Sequence, residues 1–459
     1  MNRRTFIKSA FAGIGAVAAD SAHGRTSNGT MTNGTMTLRE NPRGRKVSLL
    51  GYGAMRLPTV DGGHANNWVK AGYSGSGIDQ KMLNAQIKYL LDHGVNYFDT
   101  SPAYCRGESE ACMGQALAAS GYARGDYLIA TKLSNFAEVF WPREKSIEMF
   151  ETSLKNLRTD YIDFYLLHSI GNGGFETFSK RYLENGVLDW LVEQRAAGRI
   201  RNLGFSYHGD PKAFEWCIEH HDTYNWDFCQ IQMNYVDWRH AKEVNDRNLD
   251  AQYLYETLAS RGIPAVIMEP LLGGRLARFN YAVASRLKAM DQSASLASWA
   301  FRFCGTYPNV LTILSGMTYM EHLRENVATL SPLKPLTDAE LAGLEEAALL
   351  MLANKTIPCN LCQYCMPCPY GIDIPGVFDC WNRACVSDRL PERGTPKYAA
   401  HRRAFLKDYD RSMEHLRQAE HCIGCGRCNH HCPQRIDIPA RLAEIDATVA
   451  EWRKEERHA

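Results

Sequence analysis

Residues 145–168 read KSIEMFETSLKNLRTDYIDFYLLH, and this stretch decides the fold. Its first half sets Ile147, Phe150, Leu154 and Leu157 at helical spacing, one apolar stripe along a helix. Its second half contains YIDFYLL, almost wholly apolar, as in a strand buried on both faces of a parallel sheet. The alternation recurs along the chain. Short β-rich runs begin near Val47, Val95, Tyr127, Tyr161, Ile200, Asp227, Ile263 and Asn309, with helical patterns between them. Gly94, after LLDH, is placed to end one helix and release the next strand. Eight such units predict an α/β fold, a (β/α)8 TIM barrel, and the absence of GxGxxG after any strand argues against a dinucleotide-binding doubly wound sheet. Function in such a barrel belongs at the carboxyl ends of the strands. The polar insertion at 59–77 would lie over that mouth as a lid.

The chain has 459 residues, 45% hydrophobic and 22% charged, which excludes global disorder and a coiled coil. A net charge of +1 gives no general attraction to nucleic acid or anionic membranes. Fifteen cysteines are too few for a small disulfide scaffold and too many to ignore.

At the N-terminus, MNRRTFIKSAFAGIGAVAAD combines a charged n-region at Arg3 and Arg4, a weak apolar run, and a small-x-small site at Ala16 to Ala18. It resembles a twin-arginine export signal and implies a periplasmic or membrane-associated bacterial protein, with no transmembrane span beyond an uncleaved signal anchor. A polar tether follows, including NGTMTNGTMT.

The strand ends carry chemistry. Strand two ends in Asp99, with Tyr104 following in FDTSPAYCRGESE; strand three ends in Lys132 and strand four in His168. A Lys ammonium beside a phenol favours phenolate and would lower the Tyr104 pKa, with Asp99 keeping the Lys charged. Tyr104 could then protonate a carbonyl oxygen as hydride reaches its carbon, with His168 fixing that oxygen.

These motifs make the region from VSLLGYGAMRLP to SGMTYMEHLRENV similar to the aldo-keto reductase superfamily. The resemblance implies that Asp99, Tyr104, Lys132 and His168 are a catalytic tetrad, and that NADPH or NADH reduces a small carbonyl or oxidises the alcohol. It also implies cofactor contacts from Met55, Ser206, Gln230, Met268, Leu271, Gly316, Glu325 and Asn326. Three positions depart from the family pattern: Tyr207 where Asn is common, Met268 for the aromatic that stacks on nicotinamide, and Thr318 for the usual 2′-phosphate cation. A polarizable Met can still cover a ring face.

Beyond residue 352 the composition changes. Cys359, Cys362, Cys365 and Cys368 lie in CNLCQYCMPCPYGIDIP, and Cys422, Cys425, Cys428 and Cys432 in CIGCGRCNHHCPQRIDIP. The second run has the bacterial iron-sulfur spacing, in which the fourth Cys serves the other cluster in two-cluster ferredoxins. A ferredoxin-like exchange gives two [4Fe-4S] clusters, one on Cys359, Cys362, Cys365 and Cys432, the other on Cys422, Cys425, Cys428 and Cys368. The first run is one residue short before Cys368, so that ligand is the least regular. Zinc and disulfides are the alternatives. His430 and His431 read as solvated neighbours, and Cys380 and Cys385 as buried apolar residues.

The expected organisation is a signal at 1–19, a linker at 20–44, a barrel at 45–335, a connecting helix at 336–355 and a small, mainly helical cluster domain at 356–459. Hydride transfer moves two electrons, whereas each cluster passes one, and no flavin motif bridges them. Either a bound flavin or a redox partner protein completes an electron-transfer path, or the clusters serve structure or docking. The competing reading is an electron-transfer protein whose barrel is a docking or sensing scaffold without nicotinamide turnover.

Overall fold

In the computed structural model, residues 35–65, 77–244 and 248–458 are described. The signal segment, most of the linker and residues 66–76 of the expected lid lie outside them. The 145–168 stretch folds as its pattern predicts. A helix runs Arg143–Leu157, burying Phe150, Leu154 and Leu157, and stops at Arg158, which is left-handed. The following strand, Ile162–Ile170, is buried at every position.

Numbered in chain order, β1 (Leu38–Glu40) and β2 (Lys46–Ser48) pair as an antiparallel hairpin. β3 (Leu50–Gly53), β4 (Tyr97–Asp99), β5 (Leu128–Leu133) and β6 (Ile162–Ile170) begin the barrel. β7 (Ile200–Tyr207), β8 (Phe228–Gln232), β9 (Ala265–Met268) and β10 (Val310–Ser315) complete it. All are parallel to their neighbours, and β10 closes against β3. The expected first strand therefore needs correction, because Val47 belongs to the hairpin and not to the barrel wall. Its side chain joins Tyr97, Leu128, Phe164, Phe228, Val266 and Leu311 in the barrel interior. A hairpin that plugs a barrel needs an inward apolar residue, which explains why Val47 looked like wall. The hairpin also occupies part of the stretch expected as linker.

Alternation sorts the strands into two cores. Ala130, Phe164 and Leu166 face inward, whereas Ile129, Tyr165 and Leu167 pack under the helices. A one-residue slip would exchange the two sets, each large apolar side chain being worth about 1.5–3 kcal/mol when buried.

The helix Asp338–Leu352 starts at a capping box, Thr337 with Glu340. It was expected as a connector, yet Leu344, Ala347, Ala348 and Met351 join the barrel's outer core. The closing region has its own core, built from Ile372, Ile374, Phe378, Phe405, Ile436, Ile438 and Trp452 among others. Its internal repeat is structural. Asp373 caps the helix Ile374–Val386 and Asp437 caps Ile438–Arg457, each followed by Ile-Pro in the first turn. No helix among the described residues is long and apolar enough to cross a membrane.

Candidate active site

β4 delivers Asp99 to the barrel mouth, and the short helical turn Tyr104–Gly107 folds Tyr104 back over it. β5 supplies Lys132 and β6 supplies His168. Lys132 is 0% exposed, so its charge must be met inside the protein. Its Nζ donates to Asp99 Oδ1 at 2.5 Å and to the Thr100 carbonyl at 2.9 Å. The same Nζ stands 4.9 Å from the centre of the Tyr104 ring. The His168 ring meets Tyr104 edge-on, with centroids 5.9 Å apart. The four sequence-selected groups thus come together at one rim.

Their electrostatics differ from expectation in one respect. Tyr104 is held well above the ordinary phenol value by burial, reinforced by Asp99, Tyr364 and Glu269. Proximity to Lys132 does not produce a resting phenolate, because desolvation outweighs it. Tyr104 is a protonated phenol, the state a proton donor needs. Burial raises the Asp99 carboxyl and lowers the Lys132 ammonium, and their contact opposes both shifts. His168 lies well below the ordinary imidazole value through burial and the nearby Lys132, and is neutral.

A continuous cavity of about 1840 Å³ opens over this rim. Met55, Ser206, Gln230, Met268, Leu271, Gly316, Glu325 and Asn326 all line it, together with Asp99, Tyr104 and His168. Gln230 Oε1 is buried without a hydrogen-bond partner, an acceptor facing the space where a ligand amide would fit. Ser206 is less available, since its Oγ accepts from the Ser169 N–H at 2.7 Å. Asn326 donates to Ser315 Oγ, and Glu325 accepts from Ser295 Oγ. Thr318 donates to the Arg56 carbonyl at 3.0 Å and offers no cation for a phosphate. His64, from the start of the expected lid, also lines the cavity.

The cysteine runs meet. Cys359, Cys362, Cys365 and Cys432 line one small cavity walled by Ile374, Phe378, Ile436 and Ile438. These four thiols perturb one another, while Cys428 responds to Cys422, Cys368 and Cys425, and Cys365 also senses Cys428. Burial pushes Cys359 up to about 12 and Cys428 to about 11, as for thiols with no cation beside them strong enough to ionise them. Thiolates on one zinc stand roughly 3.8 Å apart. Among the described residues no three cysteine sulfurs fall within 4.8 Å of one another. All fifteen thiols are free of disulfides. His430 and His431 are exposed.

The cysteine-run segments also sit on the barrel mouth. The Arg56 guanidinium donates to the Asn360 carbonyl, and Gln434 Nε2 donates to Gln232 Oε1 at 3.2 Å. Gly273 (φ 68°) meets Asn360 so closely that an added Cβ would lie 2.2 Å from the Asn360 Cβ. Gly209 (φ 110°) likewise leaves room for the Arg435 guanidinium. No local pattern in the sequence signals these contacts, because they join segments far apart in the chain. Ser134 was missed from sequence. Its Oγ lies 2.6 Å from His168 Nδ1 and fixes the imidazole, and its position directly after β5 was the available signal.

A closed parallel barrel with a buried acid–amine pair, a phenol and an imidazole at its carboxyl rim defines an oxidoreductase of the barrel type. The chain belongs to the aldo/keto reductase family, whose model matches residues 50–348. The cysteine runs fall outside that match. L-galactose dehydrogenase from Arabidopsis thaliana is 26% identical over 336 residues, covering 70% of this chain and 96% of that protein. A probable voltage-gated potassium channel subunit beta from the same plant is 25% identical, covering 66% and 93%. Among solved structures, an aldo-keto reductase from Bacillus halodurans in its holo form shares the fold, with a TM-score of 0.52 and 22% identity over 68% of this chain and 96% of its own.

Proposed function

We propose that this aldo-keto reductase interconverts a small carbonyl and its alcohol with NADPH or NADH, and that its C-terminal domain carries two [4Fe-4S] clusters for electron transfer to a partner protein or for docking. The observation that carries the reading is Tyr104, a buried protonated phenol between the Lys132–Asp99 pair and His168 at the mouth of a long cleft. Nicotinamide, when bound, supplies or accepts the hydride. Gln230 holds an amide by its open acceptor, and Met268 and Leu271 cover the apolar side of the cleft. His168, tied at Nδ1 to Ser134, leaves Nε2 for the substrate oxygen. Tyr104 gives that oxygen its proton as the carbon gains hydride, and Lys132 stabilises the resulting phenolate. In the oxidative direction the same phenolate takes the proton back.

The meeting of four thiols from both runs supports clusters, with Cys359, Cys362, Cys365 and Cys432 holding one, and Cys368, Cys422, Cys425 and Cys428 the other. Arg3 and Arg4 support export on the twin-arginine route, which carries folded, cofactor-loaded chains to a periplasmic or membrane-associated location. One anaerobic preparation tests the whole reading: iron and sulfide per chain, bound nucleotide, and turnover of a carbonyl panel with NADH and NADPH. Tyr104→Phe should abolish turnover by about 100- to 10,000-fold and leave iron unchanged. Unchanged turnover sinks the tetrad. Retention of an Arg3→Lys/Arg4→Lys variant in the cytoplasm, with the parent exported, checks the route.

A further inference from the structure

Arg275 lies in the turn after β9, between Gly273, on which Asn360 rests, and the barrel's outer core. One guanidinium nitrogen, Nη2, donates to Thr356 Oγ1 at 3.1 Å, three residues before Cys359. The other, Nη1, is buried and has no hydrogen-bond partner. Burial lowers the guanidinium from its ordinary value, and the groups that counter this are Asp237 and Cys359. Arg275 is thus a barrel cation, only half satisfied, beside a cysteine of the other domain.

A buried guanidinium nitrogen without an acceptor is costly, and a negative neighbour resolves the cost. Four thiolates around a [4Fe-4S] core supply one. The assembly carries a net negative charge, and that charge grows by one when the core takes up an electron. The other charged groups near this end of the domain include Asp237, whose Oδ2 accepts from Gln232 and Asn234, Glu269, which faces Cys362 and is itself met by Arg56, and Asp379, which acts on Cys359. All three carboxyls disfavour added negative charge. Arg275 opposes them from beside Cys359. Cys428, by contrast, responds to Cys422, Cys368 and Cys425.

We propose that Arg275 is the barrel's charge partner for the cluster held by Cys359, compensating its negative charge and raising its reduction potential relative to the second cluster. The step is a one-electron reduction of the core by an external donor, with no bond made or broken and no proton moved. Net charge and hydrogen bonding to sulfur are the levers by which a protein sets such potentials. The proposal rests on the cluster reading above. It adds that the barrel tunes the cluster nearest its mouth, so the two clusters are inequivalent by construction.

The test uses full-length holoprotein, prepared anaerobically and titrated with dithionite while both clusters are followed by electron paramagnetic resonance. Arg275→Gln should lower the ratio of reduced to oxidised form about tenfold at a fixed potential for one cluster, equivalent to about 59 mV for one electron, and leave the other within threefold. Arg275→Lys, which keeps the charge, should stay within about threefold for both. Unchanged clusters in Arg275→Gln, equal shifts in both, or an equal shift in Arg275→Lys would each overturn the proposal. Should Arg275→Gln fail to load iron at one site, Arg275→Lys decides. Iron and potential retained with Lys support charge compensation, and iron lost with Lys overturns it. A parent protein without iron removes the cluster reading itself, whereas a parent with iron and an insensitive Arg275 removes only this inference.

Discussion

The Tyr364 hydroxyl donates to Met55 Sδ across 3.7 Å, joining the first cysteine run to the rim of the barrel. Tyr364 lies between Cys362 and Cys365, and its electrostatic neighbours include Cys362, Glu269, Cys105 and Arg56. Tyr104 senses it in turn. The cysteine-rich domain is therefore a roof over the rim that carries Tyr104, and the first cysteine run shares a wall with it.

Removing the Tyr364 side chain should open that roof. Tyr364 lines the cleft. Apolar surface covered between its ring and a bound substrate is worth about 1.5–3 kcal/mol, so Tyr364→Ala is expected to raise KM for a carbonyl substrate by roughly 10- to 100-fold with a smaller change in kcat. Steady-state kinetics beside an iron assay checks this. An unchanged KM at full iron content would show that substrate does not reach the roof.

Asp99 and Lys132 form a pair with almost no solvent access. Deleting one partner leaves a buried charge unmet, typically a loss of about 3–5 kcal/mol. Asp99→Ala should therefore destabilise the barrel by that order in denaturant unfolding, and the double change Asp99→Leu/Lys132→Met should recover much of it. Both variants should be inactive. Equal destabilisation of single and double variants would contradict the charge argument.

Cross-pairing of the cysteine runs has a direct chemical signature. Cys432→Ser and Cys368→Ser should each lose about half of the bound iron, and they should lose different clusters, distinguishable by their paramagnetic spectra. Loss of the same cluster in both variants would mean that each run keeps its own fourth ligand.

His208 is pushed down to about 4 by burial, with Arg435 and Lys132 adding to the effect. An unfolded His titrates near ~6.5, so between about pH 6.5 and 4 the unfolded chain binds the extra proton. Its contribution is therefore full above the unfolded value and declines as pH falls through that window. Buried carboxyls such as Asp99, Asp237 and Glu269 are shifted up and act in the opposite sense. A difference measurement cancels them. From pH 7.5 to 5.5 the Tm of the parent should fall further than that of His208→Gln. Parallel curves would show that His208 is solvated in solution.

Much of the site was legible because strand ends are local features. YFD, LIATKL and YLLH each announce where a strand stops, and a barrel places every such end at one rim. The two cysteine runs were equally legible, since spacing is a property of the chain itself. Val47 misled for a physical reason: a residue plugging the barrel interior is as apolar as one in its wall. The helix Asp338–Leu352 misled similarly, because an amphipathic connector and a barrel helix share one pattern.

Sequence by itself determined the barrel, the acid, amine, phenol and imidazole on its rim, and the two cysteine runs, all through periodicity and spacing over short distances. Tertiary structure alone decided the rest. It brought Tyr364 to Met55 across 309 residues, set Arg275 beside Cys359, and grouped Cys432 with the first run. It also kept Tyr104 protonated where adjacency to Lys132 suggested a phenolate. Desolvation depends on everything that surrounds a group, and what surrounds Tyr104 includes a domain encoded at the far end of the chain.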